Sequence, residues 1–204
     1  MALKMRTCQL NINQISKVVE LHELAFKGFF LTELGTSFLN QYYKSVIQSE
    51  KALNLGVFDE NSKLLGFAIT AKNSKGFNKS IIKQNFLGFL GIAFKLLILK
   101  PKAIYRLFIN LEKKSPDIKD DKGNYSELLS IATHPNKQGL GIGKKLLIET
   151  EKQLKSEGYD KLALTTDYHN NIDVIRFYEK SGYSIYYDFI TYPTRKMYKL
   201  IKTI

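Results

Sequence analysis

The stretch HPNKQGLGIGKKLL, residues 134–147, places three glycines, a glutamine and three lysines where a leucine-patterned helix begins. Glycine adopts backbone conformations that other residues avoid, so successive N–H groups of such a loop can point into one concavity. The N-terminus of the helix adds unpaired N–H donors and a partial positive charge. These features are typical of a site that holds a phosphate or a diphosphate.

Three phosphate-binding templates produce a loop of this appearance, and two of them fail here. The dinucleotide fingerprint G-x-G-x-x-G does not fit, because Gly139, Gly141 and Gly143 fall as G-x-G-x-G. The nucleotide P-loop also fails, because Gln138 replaces its first glycine and Lys145 replaces its metal-binding hydroxyl. The third template, Q/R-x-x-G-x-G/A between a strand and a helix, is met by Gln138, Gly141 and Gly143.

A second motif lies in NIDVIRFYEKSGY, residues 171–183. It follows the pattern N-x-x-A-x-x-F-Y-x-x-x-G-F/Y at five positions: Asn171, Phe177, Tyr178, Gly182 and Tyr183. With these two motifs in this order, the sequence resembles the GNAT superfamily of acyl-CoA-dependent acyltransferases. The resemblance covers residues 127–201 closely and residues 4–71 less closely, and the segment 76–126 lies outside it.

The resemblance implies a fold and an activity. The fold is α/β (α+β), a single domain over residues 1–204, with a mixed, mostly antiparallel sheet of about six to seven strands flanked by helices and a helical insertion before the central strand. The activity is transfer of an acetyl group from acetyl-CoA to an amine acceptor, without a metal. A wedge between two splayed strands would admit the pantetheine arm of CoA.

The resemblance also implies roles for individual residues. Tyr178 matches the general acid that protonates the departing sulfur. Asn171 would bond pantetheine or help to cap its helix, and the two roles can coexist. Main-chain groups of the strand before the loop would pair with pantetheine and polarise the thioester carbonyl. These strand residues are Ile131, Ala132 and Thr133. The residues that would hold the diphosphate are Gln138, Gly139, Leu140, Gly141, Ile142, Gly143 and Lys144.

The catalytic base is assigned to Glu127, acting alone or through water. It stands on the strand at the position of the base in histone-type members. Ribosomal-protein-type members carry a glutamate on the next strand, where this sequence has Thr166. His134 and His169 are the alternative candidates for the base.

Hydrophobic periodicity predicts the elements that position these residues. Helices are predicted over 14–26, 35–48, 86–99, 141–156 and 174–180, and a further one begins at Pro101. Strands are predicted over 4–10, 53–58, 64–71, 127–133, 161–166, 183–190 and 196–201.

Composition narrows the class of protein. The 204 residues include one cysteine, which excludes an internal disulfide. The three histidines are too scattered along the sequence to predict a metal cluster. The N-terminus has no long apolar core, so we expect a cytoplasmic protein without a signal peptide. The net charge of +12 indicates an anionic partner. Nucleic acid is not favoured, because the basic stretch is aliphatic and carries no reading motif.

Most of the net charge comes from the insertion, approximately residues 76–116. Its residues 76–115 contain eight lysines and arginines and one acid, Glu112. Three interpretations remain open: a packed lid or homodimer surface, a peripheral membrane contact, or a site for an anionic acceptor such as a nucleotide-linked amino sugar. A protein amine is another candidate acceptor. The rival from another class is a non-catalytic module that binds CoA or docks at membranes.

Overall fold

The computed structural model describes residues 4–102, 105, 109, 121–191 and 193–204. The strands are β1 Arg6–Gln9, β2 Ala52–Phe58, β3 Leu64–Ala71, β4 Ser126–Thr133, β5 Lys161–Asp167, β6 Ser184–Thr191 and β7 Arg195–Thr203. The helices with assigned bounds are α1 Ile15–Ala25, α2 Phe30–Glu33, α3 Thr36–Ile47, α4 Phe77–Gln84, α5 Phe86–Leu99, α6 Ile142–Ser156 and α7 Ile172–Lys180. Short 3₁₀ turns cover Ile12–Gln14 and Pro135–Lys137.

The strands form one sheet in the order β1-β2-β3-β4-β5-β7-β6. All neighbours are antiparallel except β4 and β5, which are parallel. A parallel pair requires a crossover connection, and α6 provides it. The sequence predicts this helix from the leucine stripe that follows the glycine loop. The mixed, mostly antiparallel sheet that was predicted is confirmed.

Each face of the sheet is covered by helices. Helices α1 and α3 pack on one face, where Val18, Leu39 and Phe67 belong to one buried cluster. Helix α6 packs on the other face, where Leu146 and Leu164 belong to a second cluster. Strands β2 and β3 are buried along their whole length because both of their faces are covered.

The described part of the segment between β3 and β4 contains the helices α4 and α5, as the sequence predicts for the insertion. Helix α5 has the predicted bounds, whereas the short helices α2 and α4 were not predicted individually. Phe89 and Leu96 of α5 are buried against Leu34 and Phe38. The helix predicted from Pro101 falls largely outside the described residues, including its apolar positions 104, 107, 108 and 111.

No single helix of the described chain is long and apolar enough to cross a membrane. Helices α4 and α5 together have the length and apolar composition of a membrane-spanning segment, but the pair is bent by 93°.

Candidate active site

The central feature of the site is the divergence of β4 from β5. The two strands pair through Ser126–Leu162, Glu127–Ala163 and Leu128–Leu164. Beyond this point β4 continues to Thr133 and β5 to Asp167 without further pairs between them. Backbone N–H and C=O groups on that edge of β4 are therefore available to a ligand.

A β-bulge lies where the divergence begins. Ile69 of β3 pairs with Ser130 while Thr70 pairs with Leu128, so Leu129 is the extra residue of β4. A bulge bends its strand and increases the local twist. The bulge thus gives a physical reason for β4 to leave β5 just after Leu128.

The glycine loop lies at the end of the diverging strand. Gly139 and Gly141 have φ angles of +77° and +75°, in the left-handed region that favours glycine. Helix α6 begins directly after Gly141, so its first N–H groups have no intrahelical partner. Gly143 has an ordinary backbone conformation, and a Cβ there would lie 3.7 Å from Thr133 Oγ1 and 3.8 Å from Phe177 Cζ. The loop, β4 and α7 therefore meet at one place.

The predicted cofactor residues divide into exposed and buried side chains. Gln138, Gly139, Leu140, Gly141 and Lys144 are exposed. The side chains of Ala132 and Ile142 are buried in the core, and those of Ile131 and Thr133 are partly buried. Contacts from the buried residues to a ligand are therefore limited to their main chain.

The two lysines at the start of α6 have different surroundings. Lys144 is exposed. Lys145, the next residue, donates a hydrogen bond from Nζ to the carbonyl oxygen of Met5 at 2.8 Å. Its ammonium group is therefore already engaged by the segment that leads into β1.

Tyr178 lies in the core beside the divergence. Its side chain is 5% exposed, and its ring centroid is 5.1 Å from that of Phe177 and 5.7 Å from that of Tyr183. Burial raises the pKa of the Tyr178 phenol well above its ordinary value, so the group stays protonated. Its hydroxyl makes no hydrogen bond to any described residue. The phenol therefore carries the proton that a general acid must donate.

Asn171 ties the start of α7 to the end of β5. Its Nδ2 donates to Thr166 Oγ1 at 2.6 Å and to the carbonyl oxygen of Asp167 at 3.1 Å. Asn171 occupies the N-cap position, but its side chain makes no capping hydrogen bond. The expectation of a side-chain cap is therefore wrong, because the amide is turned toward the strand.

Glu127 is held by two partners that the sequence did not suggest. One carboxylate oxygen accepts from Lys199 Nζ and the other from Ser74 Oγ. Lys199 is 5% exposed, and its Nζ lies 5.0 Å from the ring centroid of Tyr125. Each oxygen of Glu127 accepts one hydrogen bond from the described residues, whereas a carboxylate can accept about four in all.

A second acidic group lies close to this pair. Asp121 accepts hydrogen bonds from the hydroxyls of Tyr187 at 2.6 Å and Tyr125 at 2.9 Å, and from the N–H of Gly123 at 2.9 Å. Burial alone would raise the pKa of Asp121, but these hydrogen bonds and the charge of Lys199 lower it below its ordinary value. The carboxylate stays ionised and fixes both tyrosines.

The end of β5 carries another ion pair that was not predicted. Arg195 of β7 binds Asp167 through Nε and one terminal nitrogen, both at 2.5 Å. The guanidinium also lies 5.0 Å from the ring centroid of Phe29. This contact joins the loop after α1 to the diverging end of β5. No local pattern could have indicated it, because Phe29, Asp167 and Arg195 are distant in sequence.

Within the part of the chain that the structure describes, no three His, Cys, Asp or Glu side chains form a group that could hold a metal ion.

The fold and the glycine loop are those of an acyl-transferring enzyme class. The chain belongs to the GNAT acetyltransferase family: residues 17–183 match the model described as Acetyltransferase (GNAT) family. A search of curated proteins finds no significant match.

Solved structures of N-acetyltransferases share this fold. The ribosomal-protein-S18-alanine N-acetyltransferase from Escherichia coli is 16% identical with a TM-score of 0.61, over 98% of this chain and 94% of that one. The PaiA N-acetyltransferase from Thermoplasma acidophilum, in complex with coenzyme A, is 17% identical with a TM-score of 0.55, over 99% and 100%. A chimera of the spermidine N-acetyltransferase SpeG from Vibrio cholerae and hSSAT is 12% identical with a TM-score of 0.61, over 98% of each chain.

Proposed function

We propose that this protein transfers an acetyl group from acetyl-CoA to a primary amine. The observation that carries the proposal is the divergence of β4 from β5 directly beside the glycine loop at the start of α6. CoA joins a diphosphate to a long, thin pantetheine arm. The glycine loop suits the diphosphate. The gap between β4 and β5, directly beside the loop, suits the pantetheine arm. Membership of the family supports the same reaction.

Acetyl-CoA supplies a thioester, whose carbonyl carbon forms a bond to the amine nitrogen as the carbon–sulfur bond breaks. Glu127 accepts the proton that the amine nitrogen loses, directly or through a water molecule. Tyr178 gives its proton to the departing sulfur, so the products are an N-acetyl amide and the CoA thiol. Main-chain N–H groups of β4 beyond Leu128 stabilise the negative charge that develops on the carbonyl oxygen.

For the acceptor we propose a small amine, with a nucleotide-linked amino sugar as the specific candidate. The net charge of +12 supports this choice because the phosphates of such a molecule are anionic. A protein amine and a non-catalytic, CoA-binding module are the competing outcomes.

The test follows release of the CoA thiol from acetyl-CoA with a panel of nucleotide-linked amino sugars, polyamines and peptides with free N-termini. We expect turnover with a small amine, and we expect Tyr178→Phe to lower it by about 10²- to 10⁴-fold while acetyl-CoA affinity is kept. Tyr183→Phe is the matched control. It removes a hydrogen bond of 2.9 Å to Glu151 and so lowers stability, but it leaves turnover intact.

Two results would contradict the proposal. Equal turnover by wild type and Tyr178→Phe removes the general-acid role. Tight acetyl-CoA binding without transfer to any amine on the panel favours the non-catalytic module.

A further inference from the structure

Helix α5 exposes a stripe of large apolar side chains to solvent. The stripe consists of Leu87, Leu90, Phe94, Leu97 and Ile98, which are 83%, 49%, 67%, 57% and 65% exposed. Their spacing of three and four residues places them along one side of the helix. The side that carries Phe89 and Leu96 packs against α3 instead.

The stripe is not needed to hold the helix in place, because the opposite side already supplies the packing. A Cβ at Gly88 would lie 2.4 Å from Gln41 of α3, which shows how closely the two helices approach on that side. Scattered exposed apolar residues are ordinary, but a contiguous apolar surface marks an interaction site. The stripe therefore has the character of an interaction surface.

The charges around the stripe indicate the chemistry of that partner. Residues 77–102 contain five lysines and no acid. Lys83, near the end of α4, and Lys95, in the second half of α5, are exposed. Lys100, also exposed, donates a hydrogen bond to the carbonyl oxygen of Glu33 at 2.7 Å, which fixes the end of α5 to α2. Apolar side chains bordered by lysines complement a surface that is apolar beneath and anionic above.

The length of α5 decides how the helix meets such a surface. Its 14 residues span about 21 Å, which is shorter than the roughly 30 Å hydrocarbon core of a bilayer. A helix of this length with a lysine border lies in the interface plane. We propose that α4 and α5 dock this protein on an anionic membrane surface, with the α5 stripe in the acyl region and the lysines at the lipid phosphates.

Vesicle flotation of the full chain tests the docking surface. The probes are phosphatidylcholine vesicles with and without phosphatidylglycerol, each at low and high salt. We expect binding to the vesicles that contain phosphatidylglycerol, weakened by salt because exposed charges are screened. Leu87→Ser with Phe94→Ser should weaken binding at least tenfold, because two apolar side chains would no longer be buried in the membrane. Lys83→Gln with Lys95→Gln should weaken it by about fivefold per lysine.

The matched controls are exposed residues elsewhere on the molecule. Ile148→Ser on α6 and Lys155→Gln with Lys161→Gln should leave binding unchanged. Retention of the thermal shift with acetyl-CoA shows that each variant is folded. The proposal is overturned if the wild type does not float, or if the α5 variants float as well as the controls. A concentration-dependent dimer that Leu87→Ser with Phe94→Ser abolishes, without vesicle binding, would assign the stripe to a second copy of the chain.

Discussion

Lys199 and Glu127 form the charged pair nearest to the start of the strand divergence. Lys199 is buried, and Ser74 holds the second oxygen of the carboxylate. Taking a lysine out of water costs several kcal/mol, which its partner must offset. The pair therefore holds the Glu127 carboxylate at a fixed position, which the proposed role as a base on a bound amine requires.

Removal of the lysine should be more damaging than removal of the whole pair. We expect Lys199→Met to lower the free energy of unfolding by about 3–5 kcal/mol, because it leaves the Glu127 carboxylate without its cation. The double variant Lys199→Met with Glu127→Gln should recover much of this loss while turnover stays low. Urea unfolding of the four proteins in this cycle measures the coupling, and additive effects would mean that the two groups do not interact.

His22 is expected to make stability depend on pH. Burial lowers its pKa to about 4, and its Nδ1 lies 2.6 Å from the hydroxyl of Tyr43. The unfolded chain binds a proton near pH 6.5, so between these values the unfolded state holds more protons than the folded state. Stability should therefore fall by about 3 kcal/mol as the pH drops from 6.5 to 4.

The substitution His22→Asn should flatten this pH dependence, since an amide can bond to Tyr43 and does not titrate. His169→Asn, at an exposed histidine, is the control and should keep the slope. Unfolding midpoints measured across pH 4–7 make the comparison. An unchanged slope in His22→Asn would show that another group controls acid stability.

Among the elements, the junction of β4, the glycine loop and α6 holds most of the residues proposed to bind acetyl-CoA. Gly139 and Gly141 are needed for their positive φ angles, whereas Gly143 has an ordinary conformation. Under the proposed function, its lack of a side chain has a different reason: it keeps the first turn of α6 open to an approaching diphosphate. The two kinds of glycine can be separated by experiment.

We expect Gly143→Ala to change stability by less than about 1 kcal/mol, because the new methyl group would make only ordinary contacts with Thr133 and Phe177. It should nevertheless weaken acetyl-CoA binding by roughly tenfold to a hundredfold, because the added methyl group would keep the diphosphate from approaching one backbone N–H of the loop as closely, at a cost of about one charge-assisted hydrogen bond. Gly91→Ala, in α5 with open space around its Cβ, is the control. Calorimetric titration would contradict this account if both variants bound acetyl-CoA as the wild type does.

Elements with strong periodicity could be predicted from the sequence, and short ones could not. Helix α5 and the hairpin of β2 and β3 have nearly the predicted bounds, because long apolar patterns dominate their local preferences. Helices α2 and α4 contain four and eight residues, too few for a period to be recognised. The glycine loop was evident because its function needs particular residues at a fixed spacing.

At the scale of the whole molecule, the order of the strands creates the parts of the site that the sequence did not predict. Strand β7 lies between β5 and β6, so Lys199 faces a carboxylate 72 positions earlier in the chain. The same arrangement joins Arg195 to Asp167. Such pairs depend on long-range register, which no local pattern encodes. The main chain of β4 and Tyr178 could be named as candidate site groups from sequence motifs. The charged groups around them could be found only from the fold.

At this scale, the lysines that the two proposals use lie in different parts of the molecule. The glycine loop and Lys144 lie at the C-terminal end of β4, and the lysines of α4 and α5 lie in the insertion between β3 and β4. If both proposals hold, these lysines serve a ligand site and a separate docking surface. Substitutions on α5 should leave acetyl-CoA binding unchanged, which allows the two proposals to be tested independently.

The most direct test of the central claim is thermal unfolding with acetyl-CoA, with Mg-ATP and NAD as controls. A ligand at 100 times its dissociation constant stabilises the folded state by about 2.7 kcal/mol, which for a chain of this size is a rise of roughly 5 to 11 °C. We expect this rise with acetyl-CoA alone. A rise with Mg-ATP or NAD and none with acetyl-CoA would contradict the assignment of the glycine loop, and with it the roles proposed for Tyr178, Asn171 and Glu127.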